Sequence, residues 1–374
     1  MIPIRLPVVD PAAALAPHLD DVRAAVEGVL ASGWFILGEQ VIHLEREFSA
    51  ACGAAYGVGV ASGTDAVALA LEGCTVGAGD AVLTVSHTAV ATVAAIESTG
   101  ATPVLVDIDS GSFTMSPVAL ESAIGSHDGS TLKAVVAVHL YGNPAPMAEI
   151  ERVAEAHGLS VVEDAAQAHG ASIDGRVVGS LGRVAAFSFY PTKNLGGIGD
   201  GGIVVTSDEG VQDRVRELRQ YGWKERYISE VSGRNSRLDE VQAAVLRTLL
   251  PHLASSNEHR QAVARRYDEG LASAPVTTPA PAAPGSRHVY HQYVVRTPER
   301  DRLRAHLAGR GIGTAVLYPA PVHRQPAYRH LEPPQGLPIT EKVCAEILSL
   351  PMGAHVSLEA ADSVVDAVLA FDGG

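Results

Sequence analysis

Short β-rich runs alternate with amphipathic stretches through the first two-thirds of the sequence, and this rhythm limits the fold more tightly than any other feature. Ala81–Val85, Thr102–Val106, Lys133–Val138 and Leu159–Val162 read as strands. Ala89–Ser98, Pro117–Ile124 and Met147–Ala156, lying between them, read as helices. Parallel strands cannot be joined by a tight turn, so a helix must carry the chain back across one face of the sheet. The alternation therefore predicts βαβ units and an α/β fold whose mostly parallel sheet is covered on both faces. Turn residues fall where such units need them, Gly77-Ala78-Gly79-Asp80 before one strand and Gly100-Ala101 before the next. Further on, a long helical region is expected from Leu238 to about Glu269, then a low-complexity stretch, Val276 to Gly285, that reads as a surface loop. Tyr290–Val295, Arg302–Gly309 and Gly313–Leu317 suggest another βαβ-like unit. The chain thus divides into a large domain, residues 1–250, and a smaller C-terminal α/β domain, residues 251–374.

Composition narrows the function. Of 374 residues 47% are hydrophobic, enough to build cores and to exclude intrinsic disorder. The net charge is −14, and no cluster of Lys and Arg stands out, which argues against nucleic acid as a partner. No apolar run approaches the ~18 residues that would span a bilayer. Met1 to Asp10 lacks the apolar core of a signal peptide, so a cytoplasmic enzyme is expected. Cys52, Cys74 and Cys344 are widely spaced and form no metal-binding or disulfide pattern.

Four segments carry chemistry. Ala61-Ser62-Gly63-Thr64-Asp65-Ala66 follows the apolar Val58–Val60 and opens a helical run, Ala66–Leu71. Such a turn presents free N–H groups and the positive end of a helix dipole, which suit a phosphate; a simple N-cap by Ser62 or Thr64 is the alternative. Asp164, in Val161-Val162-Glu163-Asp164-Ala165-Ala166-Gln167, sits where a buried strand runs out. Ligands of open α/β sheets gather at such ends, although Asp164 could also cap a helix. Lys193 lies between the aromatic run Phe187-Ser188-Phe189-Tyr190 and the loop Asn194-Leu195-Gly196-Gly197. Most lysines are surface residues, but an amine in apolar surroundings loses its proton readily and condenses with carbonyls. Gly233-Arg234-Asn235-Ser236-Arg237-Leu238-Asp239-Glu240 is polar and reads first as a helix start capped by Ser236 or Asp239. Gly197-Ile198-Gly199-Asp200-Gly201-Gly202 mimics a dinucleotide fingerprint, but it precedes the strand-like Ile203–Thr206 rather than a helix, which excludes a nicotinamide site there.

Together the segments say more. A phosphate-ready turn, an acid at a strand end and a lysine match the three needs of pyridoxal 5'-phosphate: helix N–H groups, a carboxylate for the ring nitrogen and an amine for the aldehyde. The motifs SGTDA, EDAAQAHG, FYPTKNLGG, NSRLDE and YPAPVH occur in order from Ser62 to His323. In them the chain resembles the DegT/DnrJ/EryC1/StrS sugar aminotransferases, which are fold-type I pyridoxal-phosphate enzymes.

The resemblance implies a large cofactor-binding domain with a seven-stranded-type sheet and no metal. Lys193 would be the Schiff-base lysine and proton shuttle. Asp164 would hold the protonated ring nitrogen, and Gln167 would hydrogen-bond the ring hydroxyl. Gly63, Thr64 and Ser188 would bind the phosphate. Asn235 would reach that phosphate from the partner subunit, since the family's members resemble obligate homodimers with shared sites. His87 occupies the place where relatives often stack an aromatic ring on the cofactor. The implied reaction moves an amino group from L-glutamate to a nucleotide-linked keto sugar. Leu218-Arg219-Gln220-Tyr221-Gly222, Arg226-Tyr227 and NSRLDE look most like members that aminate C3 of a dTDP-3-keto-6-deoxyhexose; a 4-keto sugar or a cyclitol is the alternative. A dehydrating branch has His in place of the lysine, so Lys193 argues against dehydration. A regulatory protein that keeps the fold without catalysis is a further alternative, disfavoured by the retention of both Lys193 and Asp164.

Overall fold

The computed structural model describes residues 3–372. Seven strands build the main sheet: β1 (Tyr56–Val60), β2 (Asp80–Val85), β3 (Thr102–Val106), β4 (Thr131–Val138), β5 (Ser160–Asp164), β6 (Val184–Ser188) and β7 (Gly202–Thr206). Their order across the sheet is β1-β7-β6-β5-β4-β2-β3. Neighbours from β6 to β3 pair in parallel. Only β7 runs the other way, antiparallel to both β1 and β6. The expected mostly parallel sheet is therefore present, and β1, β2, β4, β5 and β6 all end at one edge.

Both faces of the sheet are covered, as its residue alternation requires. Val135, Ala137, Val161, Ala185 and Phe187 join the core on one face. Val136, Val162, Val184 and Ala186 join the core on the other, against the helix Gly63–Gly73. The same alternation separates two adjacent carboxylates at the end of β5. Glu163 is fully buried on the first face and accepts from His139 Nε2 (3.1 Å) and from the backbone N–H groups of Gly179, Leu181 and Gly182 (3.0, 2.9 and 2.8 Å). It is thus the anchor for the loop that leads into β6. Asp164 turns the other way, toward the strand-end cavity.

The expected helix Leu238–Glu269 is divided. Helix Glu240–Leu249 ends in a short 3₁₀ turn at Leu250–His252, and helix Leu253–Gly270 follows. Pro251 lies inside that turn, where its missing N–H and ring exclude a continuous α-helix. The start of helix Glu240–Leu249 also differs from expectation. Asp239 makes no side-chain cap, and the buried Ser236 accepts from Ala61 N (3.1 Å) and donates to Asp65 Oδ2 (2.7 Å) instead. That binds the NSRLDE segment to the turn at Gly63.

A separate core gathers residues between Val263 and Phe371, including Tyr267, Tyr293, Leu303, Leu348 and Val364. Strands β8 (Tyr293–Arg296) and β9 (Ile347–Leu350) pair antiparallel in it. Gly313–Leu317 is not a strand, contrary to the βαβ expectation: it makes one isolated bridge, Ala315 to Ser349. Its backbone instead lines the cavity at the edge of the large sheet, through Ala315 and Leu317.

Glu163→Ala leaves three backbone donors buried without acceptors. It is expected to lower the unfolding free energy by about 3 kcal/mol in a urea titration, whereas Glu163→Gln, which keeps an acceptor, loses less. Equal stability of the alanine variant and the parent would show that Glu163 is not the anchor of the 179–182 loop.

Candidate active site

Five strand ends converge on a cavity of about 460 Å³. At its base the helix Gly63–Gly73 begins one residue after Ser62, whose hydroxyl caps it by accepting from Asp65 N (3.1 Å). The cap proposed for Ser62 is therefore real, and it coexists with an open helix N-terminus facing the cavity. Gly63 is required here by space: a Cβ on it would lie 2.5 Å from Ser188 Cβ. The glycine lets the helix dipole, the Thr64 hydroxyl and the end of β6 meet at one point, an arrangement suited to a phosphate.

Across the cavity stands Asp164, buried and ionisable. Its Oδ2 accepts from Thr92 Oγ1 (2.7 Å) and its Oδ1 from Ala166 N (3.2 Å). Thr88 and Thr92 share a further hydroxyl contact at 2.8 Å, so a short polar chain fixes the carboxylate. Among the described residues no arginine lines the cavity, and Lys193 is its only full cation. An acid with no salt bridge and a wall of threonines is arranged to meet a positive charge brought by a ligand.

The Lys193 side chain reaches the same cavity from the loop after β6, its backbone N–H bonded to Tyr190 O (2.9 Å). Burial pulls its amine down from the ordinary 10.5 to about 8, with Asp164 opposing in part. A lysine so tuned is half deprotonated near pH 8, far below an ordinary lysine, and competent as a nucleophile and base. His291, also on the wall, is held far below the usual imidazole range by burial and by Lys193, Arg260 and His169. Asn194 donates its amide hydrogens to Asn257 Oδ1 (2.8 Å) and Val289 O (3.0 Å), so its oxygen accepts from His291 Nδ1 (3.1 Å). The neutral imidazole therefore carries its proton on Nδ1 and keeps Nε2 as an acceptor.

Of the residues singled out in the sequence, Gly63, Thr64, Asp164, Gln167, Ser188 and Lys193 line this one cavity. Two do not. His87 is fully buried behind the wall, its Nδ1 on Cys344 Sγ (3.1 Å) and its Nε2 on Tyr141 Oη (3.0 Å). A ring engaged on both edges inside the core cannot stack on a ligand in the cavity; Thr88 and Ala89 form the wall there. Asn235 is exposed, its backbone bridged to Gln220, and lies outside this chain's cavity. Sequence reasoning missed Thr92, His291 and Tyr318. The last stands in the quoted YPAPVH motif, but His291 comes from a segment with no chemical pattern of its own.

The DegT/DnrJ/EryC1/StrS aminotransferase family profile matches residues 19–369 of this chain. The dTDP-3-amino-3,4,6-trideoxy-alpha-D-glucose transaminase of Streptomyces venezuelae is 47% identical over 365 residues, covering 97% of this chain and 95% of that protein. The structure of DesV from S. venezuelae in complex with a ketimine intermediate matches with a TM-score of 0.94 and 47% identity, covering 98% of both chains. The structure of NtdA from Bacillus subtilis with bound cofactor PMP matches with a TM-score of 0.89 and 26% identity, over 97% of this chain and 84% of that one.

Lys193 is one of four lysines in the chain, so its acidity is directly measurable. Reductive methylation of the cofactor-free protein, read by peptide mass spectrometry, should rise at Lys193 with a midpoint near pH 8, well before the ordinary 10.5. The folded chain releases this proton before the unfolded chain does. Burying the ammonium thus destabilises the fold below about pH 8, and that cost is relieved as pH rises toward 10.5. A Lys193 midpoint at the ordinary 10.5 would refute the buried amine.

Proposed function

The chain belongs to the DegT/DnrJ/EryC1/StrS aminotransferase family, and from that membership we propose that it is a pyridoxal-phosphate-dependent transaminase carrying the amino group of L-glutamate to a nucleotide-linked keto sugar. The observation that carries this reading is the sharing of one cavity by a helix N-terminus at Gly63, the carboxylate of Asp164 and the depressed amine of Lys193. These residues fit the cofactor: the Gly63 cradle a phosphate, Asp164 a protonated ring nitrogen, Lys193 an aldehyde. When bound, pyridoxal 5'-phosphate supplies that aldehyde and an electron-withdrawing ring.

The chain's own residues do the rest. Gly63, Thr64 and Ser188 hold the phosphate through N–H and hydroxyl donors. Asp164, oriented by Thr92, keeps the proton on the ring nitrogen, and Gln167 supports the ring's edge. Lys193 Nζ takes the proton from Cα of glutamate and, in the second half-reaction, delivers one to the sugar carbon. Glutamate leaves as 2-oxoglutarate, the keto oxygen leaves as water, and the two halves give ping-pong kinetics. The sugar is read as a dTDP-3-keto-6-deoxyhexose, becoming a 3-amino-3,6-dideoxyhexose; the likeness to the S. venezuelae transaminase, whose own sugar is 3-amino-3,4,6-trideoxy, supports the dTDP carrier and the amino group at C3.

A homodimer with shared sites completes the reading. Asn235 would meet the partner's phosphate. Exposed apolar residues cluster at the start of the helix that follows it: Trp34 is 63% exposed, Phe35 O accepts from Glu240 N, and Ile36 bridges Asp239. A patch of this kind marks a contact surface. The cavity's own walls hold no cation besides Lys193, whereas the strand pair Trp223–Glu225 and Ile228–Ser229 carries Lys224, and the turn that joins it carries Arg226. In a dimer they would reach the nucleotide's phosphates.

Loaded protein given glutamate should convert a dTDP-3-keto-6-deoxyhexose to the amino sugar, detected by mass, and turn over the 4-keto isomer far more slowly. Asp164→Asn is expected to lower kcat by about 10²–10³. Lys193→Ala should abolish turnover. Preference for the 4-keto isomer would reassign the sugar, and a near-parental kcat in Asp164→Asn would make that residue a structural cap. Mixing a Lys193→Ala chain with an Asn235→Ala, Arg237→Ala chain tests the shared site: one intact site per mixed dimer should restore part of the activity. Demonstrated heterodimers without recovery would mean that each chain completes its own site.

A further inference from the structure

Behind the cavity wall a single file of hydrogen bonds runs from Cys344, on the helix Pro338–Glu346, to the Leu317 carbonyl that precedes Tyr318, and its direction follows from the donors. The Tyr141 hydroxyl contacts two groups, Leu317 O and His87 Nε2. A carbonyl can only accept, so the hydroxyl hydrogen goes to Leu317 and Tyr141 Oη accepts from His87 Nε2–H. Burial pulls the His87 imidazole down to about 3, so the ring is neutral and its Nδ1 has no hydrogen. Nδ1 therefore accepts from the Cys344 thiol at 3.1 Å. The file reads Cys344 to His87 to Tyr141 to the Leu317 carbonyl, every hydrogen accounted for.

A second branch begins at the same residue. Tyr141 N donates to Gln167 Oε1 (2.7 Å), which fixes the amide, and Gln167 Nε2 donates to Tyr318 Oη (3.2 Å). Tyr141 thus holds Tyr318 from both sides, through the carbonyl that precedes it and through Gln167. Its own backbone sits at φ 58°, a conformation that a bulky side chain keeps only when its surroundings enforce it. Tyr318 Oη is already an acceptor, so its hydrogen is free to be donated, and among the described residues it has no acceptor. Tyr318 lines the cavity beside Asp164 and Gln167. Burial and Asp164 push its phenol up to about 12, so it remains a donor at neutral pH. The charged groups around the file are Asp164 facing Tyr318, and Arg300 and Glu341 beyond Cys344.

We propose that Tyr318 is a further cofactor-contacting residue, donating its hydroxyl hydrogen to an anionic oxygen on the edge of the bound ring, and that Cys344, His87 and Tyr141 are the positioning residues that aim it. The inference rests on the cofactor reading given above. Gln167 then acts at the ring's edge through Tyr318 as well as beside it. A donor at that oxygen lowers its pull on a neighbouring proton, so the pair sets the pH at which the loaded protein's visible absorbance band titrates.

The test is a pH titration of that band in protein loaded with pyridoxal 5'-phosphate, with thermal midpoints measured alongside. Tyr318→Phe should move the midpoint upward by about one pH unit, the effect of losing one charge-assisted hydrogen bond. Tyr141→Phe and His87→Leu should move it the same way by less. His87→Gln, whose amide can donate to Tyr141 and accept from Cys344, should return it toward the parent. Lower thermal midpoints with an unmoved titration in Tyr141→Phe and His87→Leu would reduce the file to packing. An unmoved titration in Tyr318→Phe would overturn the inference alone. A parent protein that develops no band at all would overturn the cofactor reading and this inference with it.

Discussion

A helix N-terminus meets a strand end with no side chain between them, and the arrangement of the cavity depends on that contact. Gly63 supplies the missing side chain: a Cβ there would fall 2.5 Å from that of Ser188. Strands β1 and β6 are not neighbours in the sheet, because β7 lies between them. Their ends nevertheless converge, since the turn after β1 folds over the edge of the sheet. Ser236 fastens the turn from outside, through Ala61 N and Asp65. Moving the helix outward would separate the phosphate cradle from the loop that carries Lys193, and the cavity would lose its two ends.

Much of this was legible in the sequence because it is local. A strand, a small-residue turn and a helix are written into consecutive residues, as are an acid at a strand end and a lysine before glycines. Glu163 and Asp164 show where local reading stops. Their neighbouring positions on β5 suggest similar roles, yet strand alternation sends one into a buried anchor with four donors and the other toward the cavity. The 3.6-residue rhythm of Leu238–Glu269 was real, but Pro251 divides it by a 3₁₀ turn. Gly313–Leu317 is apolar enough for a strand and fails to become one because its backbone partners are scattered, Leu6 for Gly313 and Ser349 for Ala315.

The remaining differences arise from contacts between distant parts of the chain. His87 follows β2 at the edge of the sheet, as a cavity residue would, and its ring is captured by Tyr141 and Cys344, 54 and 257 positions away. No spacing in the sequence announces that capture. His291 and Tyr318 are in the same position: each is contributed by the C-terminal third to a cavity whose other walls were set by strand ends far upstream. Chemistry-bearing residues on the parallel sheet could be anticipated from topology, whereas those that close the cavity from above could not.

The cover over Lys193 has a consequence for its reactivity. The Lys193 amine is acidified mainly by being kept from water, and part of its cover, His291, Leu317 and Tyr318, comes from the C-terminal third. Without that cover the amine would return toward its ordinary basicity, where it is a cation and cannot attack a carbonyl. Nucleophilicity and cover are therefore one variable. The lysine thus serves as a gauge of its own burial, its basicity reporting how completely the C-terminal third covers it.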